Sequence, residues 1–300
     1  VAAGIAWAIA ANLLWALVFL APLVLPGFSP GELAAGRNIA YGLISGAAFL
    51  VQNRGFRRPA SHWAMAAALT LAGNIGYYLL LVWAIRLSGP AMPTLIIGLL
   101  PVTLALAGNV LERAIPLRRL VPGSVLIVGG LLLVNGMEND GSGAGYGIGL
   151  LAAAAAHLLW FGYGLGNAWF LKRDPGIDTN GWSSAVGVAT LPFALVLWLI
   201  ADSGDQAGPR DWTAFIAVSA GFGLLSSWLA TALWNRASAR LPTALAAQLI
   251  IFETVGALTY AWMWSGALPP AATMAGAALL VGGVVLSVRA FAPPRLAAGG

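Results

Sequence analysis

Apolar residues fill ten long runs in this chain, and polar residues gather between them. A helix that crosses a bilayer needs about 20 apolar residues in succession. The runs cover residues 4–25, 31–51, 62–85, 91–111, 120–134, 146–170, 181–201, 212–234, 243–264 and 271–291, and each reads as one spanning helix. Pro26 closes the first run and a basic loop with Arg54, Arg57 and Arg58 follows the second. Gly89-Pro90 separates the third from the fourth, and Glu112, Arg113, Arg118 and Arg119 precede the fifth. A Gly-rich polar stretch, 135–145, divides the chain. In the second half the breaks are Lys172-Arg173-Asp174-Pro175, an acidic loop with Asp202, Asp205 and Asp211, a short turn with Arg236 and Arg240 before Pro242, and Pro269-Pro270. The end of the chain, 293–300, reads as a frayed tail. The first run lacks a basic flank and has a counterpart in the second half, so it reads as structure and not as a signal peptide. The chain begins without Met, so a short polar tail is expected ahead of it.

The runs repeat. Leu13-Leu14-Trp15 matches Leu158-Leu159-Trp160 at an offset of 145 residues. The segment from Gly123 to Gly129-Gly130 matches that from Gly276 to Gly282-Gly283 at an offset of 153. At that same offset Ala91 of the fourth run falls on Ala244 of the ninth, and Pro101 falls on Thr254; Trp83 lies near the position of Trp234. Five runs per half is an odd number, so the second copy enters the membrane from the opposite side. The expected organisation is a first five-helix repeat, 1–137, a linker, 138–145, a second and inverted repeat, 146–292, and a cytoplasmic tail, 293–300. Inverted repeats are the architecture of alternating-access transporters, with the site near the midplane where the repeats meet. A channel on the same repeat is the alternative.

Composition agrees with a lipid solvent. The chain is 60% hydrophobic and 8% charged, where soluble domains run near about 25% charged. It has no cysteine, which excludes thiol chemistry and disulfides. The net charge of +5 is spread over loops between apolar runs, which does not suit nucleic-acid binding. The 38 glycines and 17 prolines lie largely inside apolar runs, where Gly allows close helix packing and Pro allows kinks. With the N-terminus inside, 12 of the 15 basic residues fall in cytoplasmic loops and the tail, leaving Arg37, Arg86 and Arg210 outside. The positive-inside rule therefore predicts both termini in the cytoplasm.

In its ten runs, two five-run halves, Gly-Gly-bearing last run of each half and short basic turn before Pro242, the chain resembles the drug/metabolite transporter superfamily with EamA-type repeats. The Trp-rich first and sixth runs resemble its aromatic amino acid exporter branch. The resemblance implies an all-α integral membrane protein of the bacterial inner membrane that exports amino acids and some drugs.

Ionisable groups at bilayer depth are costly, so those present face protein or water and have partners. His157, one turn before Trp160, reads either as a cavity residue or as bonded to a backbone carbonyl across an Ala-rich contact. Asn12 with Trp15 and Phe19, and Asn74 with Tyr77, Tyr78 and Leu81, form stripes that either pack or line the cavity. Tyr163 and Gln248 join the cavity candidates, with Asn109 and Asn167 in the wider polar inventory. Glu253 reads as a site for a substrate ammonium or a proton, or as a structural bond to a neighbour. Pro93, Pro101 and Pro192 read as kinks in gating helices or as static packing. No catalytic set, phosphate loop or metal-ligand spacing occurs, so neither an enzyme nor a cofactor or metal is expected. The absence of a deep Lys or Arg argues against phosphate-bearing substrates, and the absence of an acidic cluster argues against polycations. The expected substrate is a neutral amino acid with an aromatic or large apolar side chain. Export of small drugs or organic cations is the alternative on the same fold, and a monomer in the bilayer is the expected state. Asn12–Trp15 and His157–Trp160 are equivalent positions of the two copies, expected on opposing walls of one cavity.

Overall fold

The structure is a computed structural model that describes residues 1–51, 58–89, 91–135, 145–174, 176–201, 209–266 and 268–292. Most of the linker between the halves, Arg54, Arg57, Asp202, Asp205 and the tail 293–300 lie outside the described residues. In chain order the long helices are α1 (Ala2–Val24), α2 (Pro30–Val51), α3 (Ala60–Ser88), α4 (Met92–Glu112), α5 (Val121–Asn135), α6 (Tyr146–Arg173), α7 (Thr179–Ile200), α8 (Trp212–Ser238), α9 (Thr243–Ser265) and α10 (Ala271–Ala290), with no strand among the described residues. All but α2 and α5 are long and apolar enough to cross a membrane, which makes eight among the described residues. The apolar stretch of α5 is shorter, and α2, although 22 residues long, carries Glu32, Arg37 and Asn38. The ten spans expected from the sequence thus meet eight spanning helices, one shorter apolar helix and one more polar helix.

Local chemistry sets the helix ends. Ser29 and Glu32 cap α2 reciprocally: Ser29 N donates to Glu32 Oε2 at 2.8 Å and Glu32 N donates to Ser29 Oγ at 3.2 Å. Asp178 caps α7 by accepting from Gly181 N, and Asp211 caps α8 by accepting from Ala214 N. Pro59, Pro242 and Pro270 precede α3, α9 and α10, where a missing N–H costs no helical bond. At the end of α4 the chain turns through Arg113, a non-Gly residue with φ of 50°. The Asn109 side chain holds that turn, donating to Ile115 O at 2.8 Å and accepting from Ile115 N at 3.1 Å.

The principal helix contacts have a regularity. Helix α1 packs on α8 and α9, while α6 packs on α3 and α4. Helix α2 packs on α8, and α7 on α3. The pairs α2–α7, α4–α9 and α5–α10 face each other. Exchanging each of the first five helices with the one five places later maps this set of contacts onto itself.

The α5–α10 contact is built on glycine. A Cβ at Gly123 would stand 2.7 Å from the carbonyl oxygen of Gly283, and one at Gly130 would stand 2.7 Å from that of Gly276. The two matching Gly segments of the sequence therefore lie against each other, so the backbones approach as closely as small-residue interfaces allow. Outward faces are apolar: Leu50, Leu111, Leu151, Leu199 and Met263 are each at least 70% exposed. Water would not tolerate so much exposed apolar surface, whereas lipid does.

Candidate functional site

Five of the described helices depart from regular α geometry within their length; α1 tightens to a 3-10 turn over Leu17–Leu20. In α3, residues Leu71–Gly76 form a π turn, and in α8, Gly223–Leu229 form another. A Cβ at Gly76 would collide with the Leu71 carbonyl oxygen, so the glycine is what lets this widened turn close. Helix α4 breaks at Leu99, whose N–H reaches back to both Leu95 O and Ile96 O. Pro101 has no N–H to offer the preceding turn, which explains that break. Helix α9 breaks at Leu249–Ile250, with tight bonds from Leu249 N to Ala246 O and from Glu253 N to Ile250 O. No proline marks the break in α9, and no residue pattern marks either π turn, so sequence reasoning has no signal by which to find them. Pro93 lies in the first turn of α4, where it costs no hydrogen bond, so it does not kink the helix. Pro192 lies inside the continuous helix α7.

These irregularities position the aromatic candidates. Just past the π turn of α3, Tyr77 stacks on Trp160 of α6, with centroids 5.0 Å apart and planes at 17°. On the other side, Trp15 of α1 meets Trp234 of α8 at 5.4 Å, with the planes tilted by 51°. Each of the two repeated tryptophans thus meets a ring from the other half. Trp15, Trp160, Leu95 and Phe252 are all partly buried against the same core.

Other candidates are occupied elsewhere. The His157 ring lies between α4 and α6, with Nδ1 2.9 Å from Ile96 O and Nε2 3.0 Å from Thr103 Oγ1. A carbonyl only accepts, so Nδ1 carries a proton; in the neutral ring Nε2 then accepts from Thr103 Oγ1. Of the two roles that the sequence leaves open for His157, the carbonyl bond is present, made to the carbonyl beside the α4 break. Asn12 is fully buried and donates to Ala8 O at 2.7 Å, leaving its Oδ1 without a partner. Tyr163 is buried against Gly73, in another core cluster. Gln248 is buried against α10 and accepts from Ser287 Oγ at 3.2 Å. Asn74 donates to Thr190 Oγ1, and Asn167 links Asn235 and Trp182. Tyr78 is partly buried among Ala34, Ile75 and Leu197.

Two charges remain. Glu253 follows the α9 break, and its Oε2 is buried with no hydrogen-bond partner. Arg37 stands two turns inside α2, and its buried Nε likewise has no partner.

The two ends of the bundle differ. At the end that holds Arg113, Lys172 and Arg240, Glu112 of α4 accepts from Lys172 Nζ of α6 at 2.6 Å and from Thr243 N of α9 at 2.9 Å. Thr243 Oγ1 also donates to Glu112, and Lys172 Nζ reaches Thr243 Oγ1 at 2.9 Å. Behind this cluster Leu104, Leu241, Leu245 and Leu249 form a buried core. At the opposite end Arg210 pairs with Glu32 at 2.6 Å and lies over the rings of Phe28 and Trp212. That pair ties α2 to the segment before α8, and spares the ends of α4 and α9.

The comparisons with known proteins agree with this architecture. The model of the EamA-like transporter family matches twice, over residues 2–136 and 147–289. The chain is 34% identical over 306 residues to the inner membrane protein YtfF of Escherichia coli (strain K12), covering 96% of this chain and 95% of that protein. A solved crystal structure, 22% identical, superposes with a TM-score of 0.77 over 96% of this chain and 97% of that one, and at that identity it speaks for the fold alone. Two family matches that together take up nearly the whole chain, and a relative matched along nearly its full length, make this chain a membrane transporter that belongs to the EamA-like transporter family of the drug/metabolite transporter superfamily.

Proposed function

We propose that the chain is an alternating-access carrier that exports neutral amino acids with aromatic or large apolar side chains. In this reading it is a monomer of ten spans in the bacterial inner membrane, built from two inverted five-helix repeats with both termini in the cytoplasm. The two family matches, the self-mapping helix contacts and the paired π turns support the repeat. The predominance of basic residues at the end with Arg113, Lys172 and Arg240 supports a cytoplasmic position for that end. The name of the relative YtfF supports the inner membrane.

The observation that carries the substrate reading is the pair of aromatic contacts, Tyr77–Trp160 and Trp15–Trp234, one at each meeting of the halves. Aromatic walls with a few polar groups suit a ligand that is apolar at one end and polar at the other. Closure of the basic end by Glu112, Lys172 and Thr243, over a packed core, supports a carrier held shut towards the cytoplasm and argues against an open pore. The second reading is export of monovalent organic cations, and the unpartnered Glu253 favours it.

Uptake into proteoliposomes of the purified protein, with radiolabelled phenylalanine, tryptophan, glycine and a quaternary ammonium dye, tests the two readings. Phenylalanine and tryptophan should enter well above protein-free vesicles and glycine should not. Entry of the dye without either aromatic amino acid would replace the first reading by the second.

A further inference from the structure

We propose that the turn between α4 and α5 is a docking site for an anionic phospholipid, with Arg113, Arg118 and Arg119 taking the headgroup phosphate and Leu117 and Val121 meeting its acyl chains. The three arginines fall within residues 113–119 and all are exposed. Among the described residues no hydrogen bond or ion pair joins them to a carboxylate. The neighbouring Glu112 is taken, since it accepts from Lys172 Nζ and Thr243 N. Other cations at this end are engaged as well: Arg240 lies over the Trp7 ring at 4.8 Å and Arg173 over the Trp169 ring at 5.0 Å. The turn itself is held in shape. Arg113 N donates to Asn109 O at 2.7 Å, the Asn109 side chain closes on Ile115 in two bonds, and Arg119 N and Leu120 N reach Pro116 O and Leu117 O at 2.9 Å. The arginines are therefore displayed on an ordered backbone, which lowers the entropy lost on binding.

The equivalent turn of the other copy shows what is special here. At the offset of 153 residues Arg113 falls on Gly266 and Pro116 on Pro269. Arg113 and Gly266 are both left-handed, with φ of 50° and 66°, so the two copies end their helices alike. Glycine suits that conformation, and a residue with a Cβ is strained in it. Arg118 and Arg119 fall on Ala271 and Ala272, and residues 266–272 include no cation. Arg118 and Arg119 alone would satisfy the rule that places positive charge in the cytoplasm; that rule does not call for arginine at the strained position. The surroundings suit a lipid better than a free anion. Val110 and Leu111 at the end of α4, Leu117 in the turn and Val121 at the start of α5 are exposed, so an apolar rim lies directly beside the cations. Apolar flank followed by charge is the order of acyl chain and headgroup at a bilayer surface. A guanidinium takes two phosphate oxygens in parallel bonds.

The test is native mass spectrometry of the full chain in detergent, titrated with phosphatidylglycerol or with phosphatidylcholine of the same chains. Each cation at the surface favours the anionic lipid by about fivefold, so the wild type should prefer phosphatidylglycerol by about 10- to 100-fold. Replacing Arg113, Arg118 and Arg119 together by Gln should bring that preference to within about fivefold. Replacing Arg173, Arg236 and Arg240 by Gln removes the same charge and should leave it within about twofold. Arg113→Gly should weaken phosphatidylglycerol binding about fivefold yet raise the unfolding midpoint in neutral detergent, opposite shifts that a merely structural role does not produce. Millimolar glycerol 3-phosphate should not displace the lipid. Equal losses in the two triple variants would overturn the proposal in favour of a diffuse charge effect. So would a wild type without preference, an unchanged preference in the turn variant, or displacement by glycerol 3-phosphate. Where the turn variant does not fold, Arg118→Gln with Arg119→Gln decides, with a loss of about 25-fold expected.

Discussion

Glu112→Gln probes most sharply how the basic end is held shut. In the closed cluster one carboxylate receives an ammonium, a hydroxyl and a backbone N–H from two other helices. The glutamine keeps one carbonyl oxygen for the Thr243 N–H or hydroxyl, and loses the charge opposite Lys172. A hydrogen bond to a charged group contributes about 1.5–3 kcal/mol. Both side chains are 28% exposed, so screening lowers that to about 1–2 kcal/mol. A difference of about 1.4 kcal/mol is tenfold in an equilibrium, so the ratio of closed to open basic ends should fall about 5- to 30-fold. The chain has no cysteine, so a single one can be introduced without background. Ala247, fully buried behind the cluster, is a suitable place. Maleimide labelling of that cysteine in inside-out vesicles should accelerate about 5- to 30-fold in Glu112→Gln. In a Tyr78→Cys chain, labelling from the opposite face should slow. Double replacement with Lys172→Gln should add little to either single change, because both remove one pair. A labelling rate within about twofold of the parent would refute the reasoning, since the cluster would then not hold the end closed.

Three other variants probe packing and the aromatic site. Gly283→Leu places side-chain atoms where the Gly123 carbonyl lies 2.7 Å from the would-be Cβ, so the unfolding midpoint in detergent should fall, by about 1–3 kcal/mol of overpacking; Gly129→Ala, with its nearest neighbour at 3.9 Å, is the control and should be near neutral. Trp160→Ala should reduce transport of aromatic amino acids by an order of magnitude or more and also lower the melting temperature, since the ring packs on the core and on Tyr77, whereas Trp160→Phe, which keeps a ring, should fold close to the parent and retain part of the transport; an unchanged rate in both would move the site away from the Tyr77–Trp160 stack. His157→Ala removes two hydrogen bonds that fix the broken α4 against α6, so it should lower stability by about 1–3 kcal/mol along with transport; full stability in the variant would return His157 to a purely ligand-facing role.

The helical class and the family are legible in the sequence because a bilayer imposes one strong periodicity, and an uncharged run of about 20 residues has few other readings. The Gly123–Gly130 and Gly276–Gly283 segments are visible as a repeat, yet nothing in a single sequence says that they touch. Site residues are harder. Asn12, Gln248 and Tyr163 are polar groups in spans, as a cavity needs, but each is buried in packing. Residue type in a span does not distinguish a lining group from a packed one. His157 shows the same limit, because its partner is a carbonyl beside a helix break 61 residues away. The π turns and the α9 break carry no signal, since Gly76 is one of many glycines in apolar runs.

Counterflow tests the central claim most directly. Proteoliposomes loaded with excess unlabelled phenylalanine are diluted into a trace of the labelled amino acid. An alternating-access carrier returns labelled molecules inward on each exchange cycle, so internal label should rise transiently above its equilibrium level and then decay. A monotonic rise to equilibrium, with no overshoot and the same rate in empty and loaded vesicles, would contradict the account.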